Sequence, residues 1–244
     1  MLWDVVALLW SLVAWVGYSF FAKYQGQRQL CLAKVLHRYR QQWATRILLR
    51  ENRISDASIT ANLERNVTFF ASTSILVVAG LVTALTATEH AILVLSDLPW
   101  VSAPSRKAWE LKIMVLLVIF VYAFFTFTWS LRQYNFASVL LGSAPVPSET
   151  DVSVQERSNY ALRLAKVLSL AANRFNYGLR AFYFGLATLA WFLNPWFYML
   201  ATVLVVIILY QREFHSAVLK AMVITPLKPK VTAISEQPSS SLRG

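Results

Sequence analysis

Three separate stretches of the sequence combine arginine with asparagine and an aromatic residue, and these residue types suit the binding of an anion. A guanidinium group and an amide N–H both donate hydrogen bonds to an anion, and arginine can donate two in parallel. If the fold brings the stretches together, they predict a site for a phosphate, another anion or a lipid headgroup. The predicted site consists of Arg65, Asn66, Arg132, Tyr134, Asn135, Asn173, Arg174, Asn176 and Arg180.

A simpler interpretation exists for each of these arginines taken alone. An arginine near the end of a membrane helix extends its charged head to the lipid interface and bonds the last carbonyl groups of the helix. For a single residue this interpretation is the better one. The repeated grouping with asparagine and tyrosine is what favours a binding site.

The residues that usually carry catalysis or bind metals show no comparable grouping. The histidines, His37, His90 and His215, lack metal-ligand spacing and are predicted to lie on the surface. Cys31 is the single cysteine and the glycines are isolated, so no cysteine metal site and no phosphate-binding loop are expected. Apart from Asp4 near the start, no carboxylate falls inside an apolar stretch, which argues against proton coupling. The sequence therefore predicts a protein that is not an enzyme and has no cofactor.

The elements that must position the predicted site are membrane helices. Residues 181–210 contain no charged side chain, which is too long and too apolar a stretch for a soluble core helix. The chain is 57% hydrophobic, so its net charge of +11 is better explained by basic cytoplasmic loops and anionic lipid headgroups than by nucleic acid. The expected partners are the lipid bilayer and anionic phospholipid, with no nucleic acid.

The apolar stretch at 181–210 is predicted to lie within a hairpin that turns at Asn194-Pro195. A single helix of this length would measure about 45 Å, whereas a hydrocarbon core is about 30 Å thick. Asn-Pro favours a turn, and proline suits the first position of the returning helix. The two arms are then residues 177–193 and 195–211. The alternative left open is one long helix kinked at the proline.

Further apolar stretches raise the prediction to five crossings; they cover residues 2–21, 66–87 and 112–131. The segments between alternate crossings are rich in arginine and lysine, whereas the loop at 88–111 is balanced in charge. The positive-inside rule therefore places the N-terminus outside and the C-terminus in the cytoplasm. Residues 1–224 are predicted to be a single helical membrane domain, and 225–244 a disordered cytoplasmic tail.

Two amphipathic helices are predicted within the basic segments. Residues 32–47 place Val35, Trp43 and Ile47 at helical spacing with basic residues between them. This helix either lies on the inner leaflet or packs on the protein with its basic side in water. Residues 154–175 form the second such helix. The predicted fold class is therefore an all-α, polytopic helical membrane protein with five crossings, the last two a tight hairpin, plus cytoplasmic amphipathic helices.

Several of these stretches also carry a family resemblance. The segments are RNVTFFASTSILVVAGL, FTWSLRQYNFASVLLGSAP, NRFNYGLRAFYFGLATLAWFLNPW and YQREFHSAVLKAM. Together they resemble the bacterial and plant integral membrane family catalogued as domain of unknown function 599. The resemblance extends to about Met222 and implies an integral membrane protein. It brings no activity with it.

Two classes of function are expected for such a chain in a bacterial inner membrane. The first is a transport or channel subunit for an anion or small solute, which would be a homo-oligomer or a subunit of a membrane complex because five short helices make a thin wall for a pore. The alternative is a non-catalytic membrane component that binds anionic lipid or a partner protein. An enzyme acting on lipid ranks third, because no nucleophile or metal constellation accompanies it.

Overall fold

The computed structural model describes residues 2–89 and 105–223, and this part of the chain is helical without strands. Its α-helices are α1 (Leu2–Arg28), α2 (Leu32–Ile47), α3 (Ile54–Thr86), α4 (Arg106–Gly142), α5 (Val154–Leu189), α6 (Pro195–Phe214) and α7 (Ala217–Val223). The prediction of an all-α fold is confirmed. The predicted disordered tail at 225–244, His90 and most of the predicted outer loop lie outside the described residues.

Polar side chains begin two of the long helices. At the start of α5, the Ser153 hydroxyl accepts a hydrogen bond from the Glu156 backbone N–H, and the Glu156 carboxylate accepts one from the Ser153 backbone N–H at 2.9 Å. The hydroxyl and backbone N–H of Ser153 together hold the pKa of Glu156 below its ordinary value. At the start of α4, the Ser105 hydroxyl accepts from the Ala108 N–H. These caps satisfy N–H groups that have no partner within the helix.

The chain turns back at Asn194. Beyond α5 a short 3-10 turn, Ala190–Phe192, precedes Asn194, whose side-chain oxygen accepts a hydrogen bond from the Trp196 N–H at 2.9 Å. Pro195 occupies the first turn of α6, where its missing N–H costs nothing. Asn194 therefore ends the 3-10 turn and caps the helix that follows.

Side-chain contacts show that α5 and α6 run antiparallel from this turn. Close to the turn, the Thr188 hydroxyl lies 3.3 Å from the Tyr198 hydroxyl. Farther from it, the Arg212 guanidinium donates to the Tyr183 hydroxyl at 2.7 Å. Each of these two contacts joins a residue before Asn194 to one after it, and the contact farther from the turn joins residues farther apart in the sequence. This is the contact pattern of a helical hairpin, and it excludes one long kinked helix.

Four stretches of the described chain are long and apolar enough to cross a membrane: α1, α3, α4 and the stretch Pro195–Val223 that begins with α6. The chain is thus built as a membrane protein. The fifth predicted crossing, residues 177–193, is not a separate element. The structure joins it to the predicted amphipathic helix at 154–175 in the single 36-residue helix α5. No proline separates the two stretches, and the helix continues through Asn176 and Gly178 at their junction.

Helix α4 packs between α3 and α5, and the α4–α5 contact is the most extensive in the described chain. Two glycines of α5 face α4. A Cβ atom built on Gly178 would lie 2.5 Å from the fully buried ring of Phe127, and one on Gly185 would lie 2.9 Å from the ring of Phe120. Because small residues let helix backbones approach closely, these glycines set the distance between α4 and α5.

Helix α2 packs across α5 and uses its apolar face to do so. Val35, Ala44 and Ile47 are buried, whereas Lys34 and Arg38 are exposed. The sequence left open whether α2 lies on the inner leaflet or packs on the protein. In the structure its apolar side packs on the protein. That face is not available to insert into lipid.

Polar contacts fix the position of α2. The Nδ1 atom of His37 lies 2.8 Å from the Ser169 hydroxyl of α5, so this histidine bridges two helices and is not the surface residue predicted from sequence. At the other end, the Trp43 indole N–H and the Arg50 guanidinium both donate to the fully buried Asp56 carboxylate at 2.7 Å. The end of the bundle that carries α2 is called the arginine end below, and the end at Asn194 the turn end.

Candidate functional site

The structure gathers three of the nine predicted site residues at one cleft. Asn173, Asn176 and Arg180 of α5 line a cleft of about 110 Å³ at the arginine end, between α1, α2, α5 and α6. The other predicted residues do not line this cleft; they are Arg65, Asn66, Arg132, Tyr134, Asn135 and Arg174.

The arginines outside the cleft are exposed on the surface of their own helices. Arg65 donates to the Asn62 side chain three residues earlier at 3.1 Å. The Arg132 guanidinium lies 5.7 Å from the centre of the Phe136 ring, one turn later. Arg174 is exposed as well. These positions match the simpler interpretation, in which each arginine reaches the interface independently.

Three charged residues of the cleft were not in the predicted set. Arg40 comes from α2, and Arg212 and Glu213 come from α6. A sequence signal exists for Arg40, because Leu32, Leu36 and Arg40 are spaced four residues apart and all three line the cleft. An arginine in register with the apolar face of a helix is thus the feature that would have identified it.

Arg40 and Arg180 are half-buried in the cleft, whereas Arg212 is exposed. Among the described residues Arg40 has no partner ring or carboxylate, and its guanidinium forms neither an ion pair nor a hydrogen bond. Burial lowers the pKa of Arg40, an effect that the nearby Tyr134 opposes. An arginine nevertheless stays protonated at any physiological pH, so Arg40 carries a half-buried positive charge that no carboxylate of the described residues contacts as an ion pair.

Tyrosine rings hold the other two arginines of the cleft. The Arg180 guanidinium lies 5.2 Å from the ring centre of Tyr18 and 5.5 Å from that of Tyr177. The Arg212 guanidinium donates to the Tyr183 hydroxyl and lies 5.7 Å from the centre of that ring. Stacking on a ring orients a guanidinium but leaves most of its N–H donors available.

Glu213 is the acidic residue of the cleft, and it is engaged elsewhere. Its carboxylate accepts a hydrogen bond from the Ala33 backbone N–H at 3.3 Å, in the first turn of α2. A carboxylate is stabilised at a helix N-terminus by the unpaired N–H groups there. Within the described ranges, Glu213 forms no ion pair with Arg40, Arg180 or Arg212.

A second polar cluster lies at the turn end of the bundle. The Lys112 ammonium of α4 donates to the Trp191 carbonyl at 2.9 Å and lies 3.3 Å from the Asp4 carboxylate of α1. The Trp191 indole N–H donates to the same carboxylate at 3.0 Å. The side chains of Lys112 and Asp4 are only 9% and 17% exposed. The cluster therefore ties α1, α4 and the turn of the hairpin together.

Apolar grooves lie on the outer surface of the described part of the bundle, and two of them border α1. The larger, of about 870 Å³, runs between α1 and α6, and the smaller, of about 390 Å³, lies between α1 and α4. Tyr18 lines both the larger groove and the arginine cleft, so these two recesses adjoin. Within the described residues, no group of three or more histidine, cysteine or acidic side chains lies together as a metal site would require.

Comparison with known proteins identifies a family and nothing finer. No curated protein and no solved structure matches the chain. The family model described as "Protein of unknown function, DUF599" matches residues 6–218, which is most of the chain and spans every helix that lines the cleft. Because the match covers more than half of the chain, the chain belongs to this family of unknown function, DUF599.

Proposed function

We propose that this protein is a non-catalytic component of the bacterial inner membrane that binds a phosphate-bearing anion in the arginine cleft. The observation that carries the proposal is that Arg40, Arg180 and Arg212 line one cleft without an ion-pair partner among the described residues. Three cations held close together repel one another, and an anion between them removes that repulsion.

The geometry of the donors supports an anion over a cation or a neutral ligand. The guanidinium groups of Arg180 and Arg212 are held against tyrosine rings, so these two side chains lose less entropy on binding. Asn173 and Asn176 add amide donors beside Arg180. A phosphate group, with several acceptor oxygens, accepts hydrogen bonds from several such donors at once.

The alternative function, a transport or channel subunit for an anion or small solute, needs a polar path across the membrane. In the described bundle the α4–α5 contact is filled by Phe120 and Phe127, whose buried rings lie against Gly185 and Gly178 of α5. A path would therefore have to form between copies of the protein or beside α1. The arginine cleft supports anion binding without such a path, and for that reason binding is the preferred function.

We further propose five crossings, with the second half of α5 and α6 as the last two. The arginine end then faces the cytoplasm. Basic residues outnumber acidic ones in the described segments at that end, whereas the turn end has Arg106, Lys107 and Lys112 beside Asp4, Glu89 and Glu110. The positive-inside rule favours this orientation.

The orientation is tested by accessibility of the two ends. In a Cys31→Ser background, a cysteine introduced by Asn194→Cys should react with a membrane-impermeant maleimide added outside intact cells. A reporter fused after Gly244 should be active only in the cytoplasm. A control cysteine introduced by Arg163→Cys, at an exposed position toward the arginine end, should react only after the cells are opened. A reporter active only outside would overturn the proposed orientation.

The anion site is tested by arginine replacement in the purified full chain. Wild-type protein in detergent should gain thermal stability on addition of inorganic phosphate or phosphatidylglycerol, relative to chloride or phosphatidylcholine. Arg40→Gln or Arg180→Gln should weaken the binding more than tenfold, since a hydrogen bond to a charged group contributes about 1.5–3 kcal/mol. The measurement is the anion concentration that gives half of the maximal shift.

Two further variants show whether the cleft or general charge is responsible. Arg163→Gln removes an exposed arginine of the same helix, α5, and should leave the binding as in wild type. Arg132→Gln should do the same if the cleft is the site. If Arg132→Gln weakens the binding as much as Arg180→Gln, the site is the one predicted from sequence and not the cleft. Identical titrations for all variants would refute anion binding by the cleft.

A further inference from the structure

The arginine cleft adjoins an apolar groove whose polarity changes along its length. At the arginine end the groove is lined by Phe21 and by four side chains with polar atoms: Tyr18, Tyr210, Gln211 and His215. Toward the middle of the bundle, only apolar side chains line it: Trp10, Val13, Ala14, Val203, Val206 and Ile207. The groove therefore offers polar groups next to the arginines and is apolar away from them.

The length of the groove matches half a bilayer. Its lining on α6 runs from Val203 to Gln211, which is about 12 Å at 1.5 Å per residue, and His215 lines it just beyond the end of that helix. Its lining on α1 runs from Trp10 to Phe21, or about 16 Å. One leaflet contributes about half of a hydrocarbon core of about 30 Å. The groove thus begins beside the cleft and reaches about the middle of the membrane.

From this juxtaposition we infer that the cleft and the groove together bind one anionic phospholipid of the cytoplasmic leaflet, with its phosphate at the arginines and an acyl chain along the groove. The inference rests on the proposed function, because the headgroup occupies the same cleft. Tyr18 is the residue at which headgroup and chain meet, since it lines both recesses. Two features favour this occupant over a helix of a second copy: the charge of the cleft and the polarity gradient of the groove.

Gly17 allows the acyl chain to be blocked without altering the cleft. It lines the groove, and a Cβ atom built on it would meet no atom within 4 Å. Gly17→Leu therefore fills groove space and leaves the packing between helices as it is. Gly80→Leu on α3 is the matched control, because a Cβ there also meets nothing within 4 Å and Gly80 does not line the groove. Both changes replace glycine with a better helix former, so both variants should fold.

The test measures lipid and headgroup binding separately on the full-length protein. Phosphatidylglycerol that co-purifies with each variant is quantified per protein, and the affinity for inorganic phosphate is measured by thermal shift. Gly17→Leu should retain at least about tenfold less phosphatidylglycerol than Gly80→Leu, since the leucine side chain displaces acyl methylenes from the groove. Its phosphate affinity should equal that of wild type, because the arginine cleft is unchanged.

Other outcomes would overturn the inference in distinguishable ways. Equal lipid retention in Gly17→Leu and Gly80→Leu would mean that the groove holds no chain, and the cleft would bind a soluble anion alone. A Gly17→Leu variant that loses a dimer, and not lipid, would assign the groove to a second copy of the chain. If Arg40→Gln and Arg180→Gln change neither the lipid retention nor the phosphate affinity, the proposed anion site itself is refuted.

Discussion

Replacement of Lys112 by methionine should lower the free energy of unfolding by about 1.5–3 kcal/mol. The variant lacks the Lys112 ammonium, which donates to the Trp191 carbonyl and forms the ion pair with Asp4, and a hydrogen bond to a charged group contributes about 1.5–3 kcal/mol. Asp4 keeps its bond from the Trp191 indole and is 17% exposed, so its charge retains a partner in the variant. The effect should appear as a lower Tm of the purified protein.

Two variants make this expectation specific. Lys107→Met removes a lysine of the same helix at an exposed position and should change the Tm little. Adding Asp4→Asn to Lys112→Met should cost less than the sum of the two single changes, since the second change removes the charge that the first left without its lysine. If Lys112→Met is as stable as Lys107→Met, the cluster at the turn end does not hold the bundle together.

Replacement of Gly178 by alanine should destabilise the protein, although alanine is the better helix former. The new Cβ atom would lie 2.5 Å from the Phe127 ring, and that ring is fully buried and packed against the rings of Phe70 and Phe175. Overpacking of this kind costs about 1–3 kcal/mol. Gly80→Ala, where a Cβ meets nothing within 4 Å, should instead be neutral or stabilising by up to about 1 kcal/mol.

The cause of the Gly178 effect is checked by shrinking the opposing side chain. In the double variant Phe127→Leu with Gly178→Ala, the aromatic atoms that clash with the new Cβ are gone. The double variant should therefore be more stable than the two single changes predict when added. Strict additivity of the unfolding free energies would show that Gly178 matters for a reason other than its distance from Phe127.

Much of the fold follows from features that are local in the chain. The Asn194-Pro195 pair predicts the turn because an asparagine cap and a proline at the first position act within a few residues of each other. The pair Ser153 and Glu156 marks the start of α5 for the same reason. Long uncharged stretches predict membrane helices because the cost of burying charge in lipid does not depend on the neighbouring helices.

The extent of α5 and the composition of the cleft did not follow from such local features. Charge balance divided α5 into an amphipathic helix and a membrane arm, yet the helix is continuous. Likewise, the sequence prediction placed Arg132 and Arg174 in one site with Arg180, because similar residue types surround all three. In the structure, the arginines that line the cleft with Arg180 are Arg40 and Arg212. A helix presents different residues to different neighbours, so spacing along one helix does not tell which neighbour a residue faces.

The sequence alone was sufficient to predict a helical membrane protein, its turn at Asn194 and its excess of arginine toward one end, because hydropathy, capping and charge depend on the chain itself. The contents of the cleft and the pairing of Asp4 with Lys112 depend on how the helices rotate and approach one another. That arrangement results from many side-chain contacts throughout the bundle, such as the contact between Gly178 and Phe127. The free energy of each contact is small compared with the sum over all of them. Only the tertiary structure therefore brings Arg40 to Arg180 and Asp4 to Lys112.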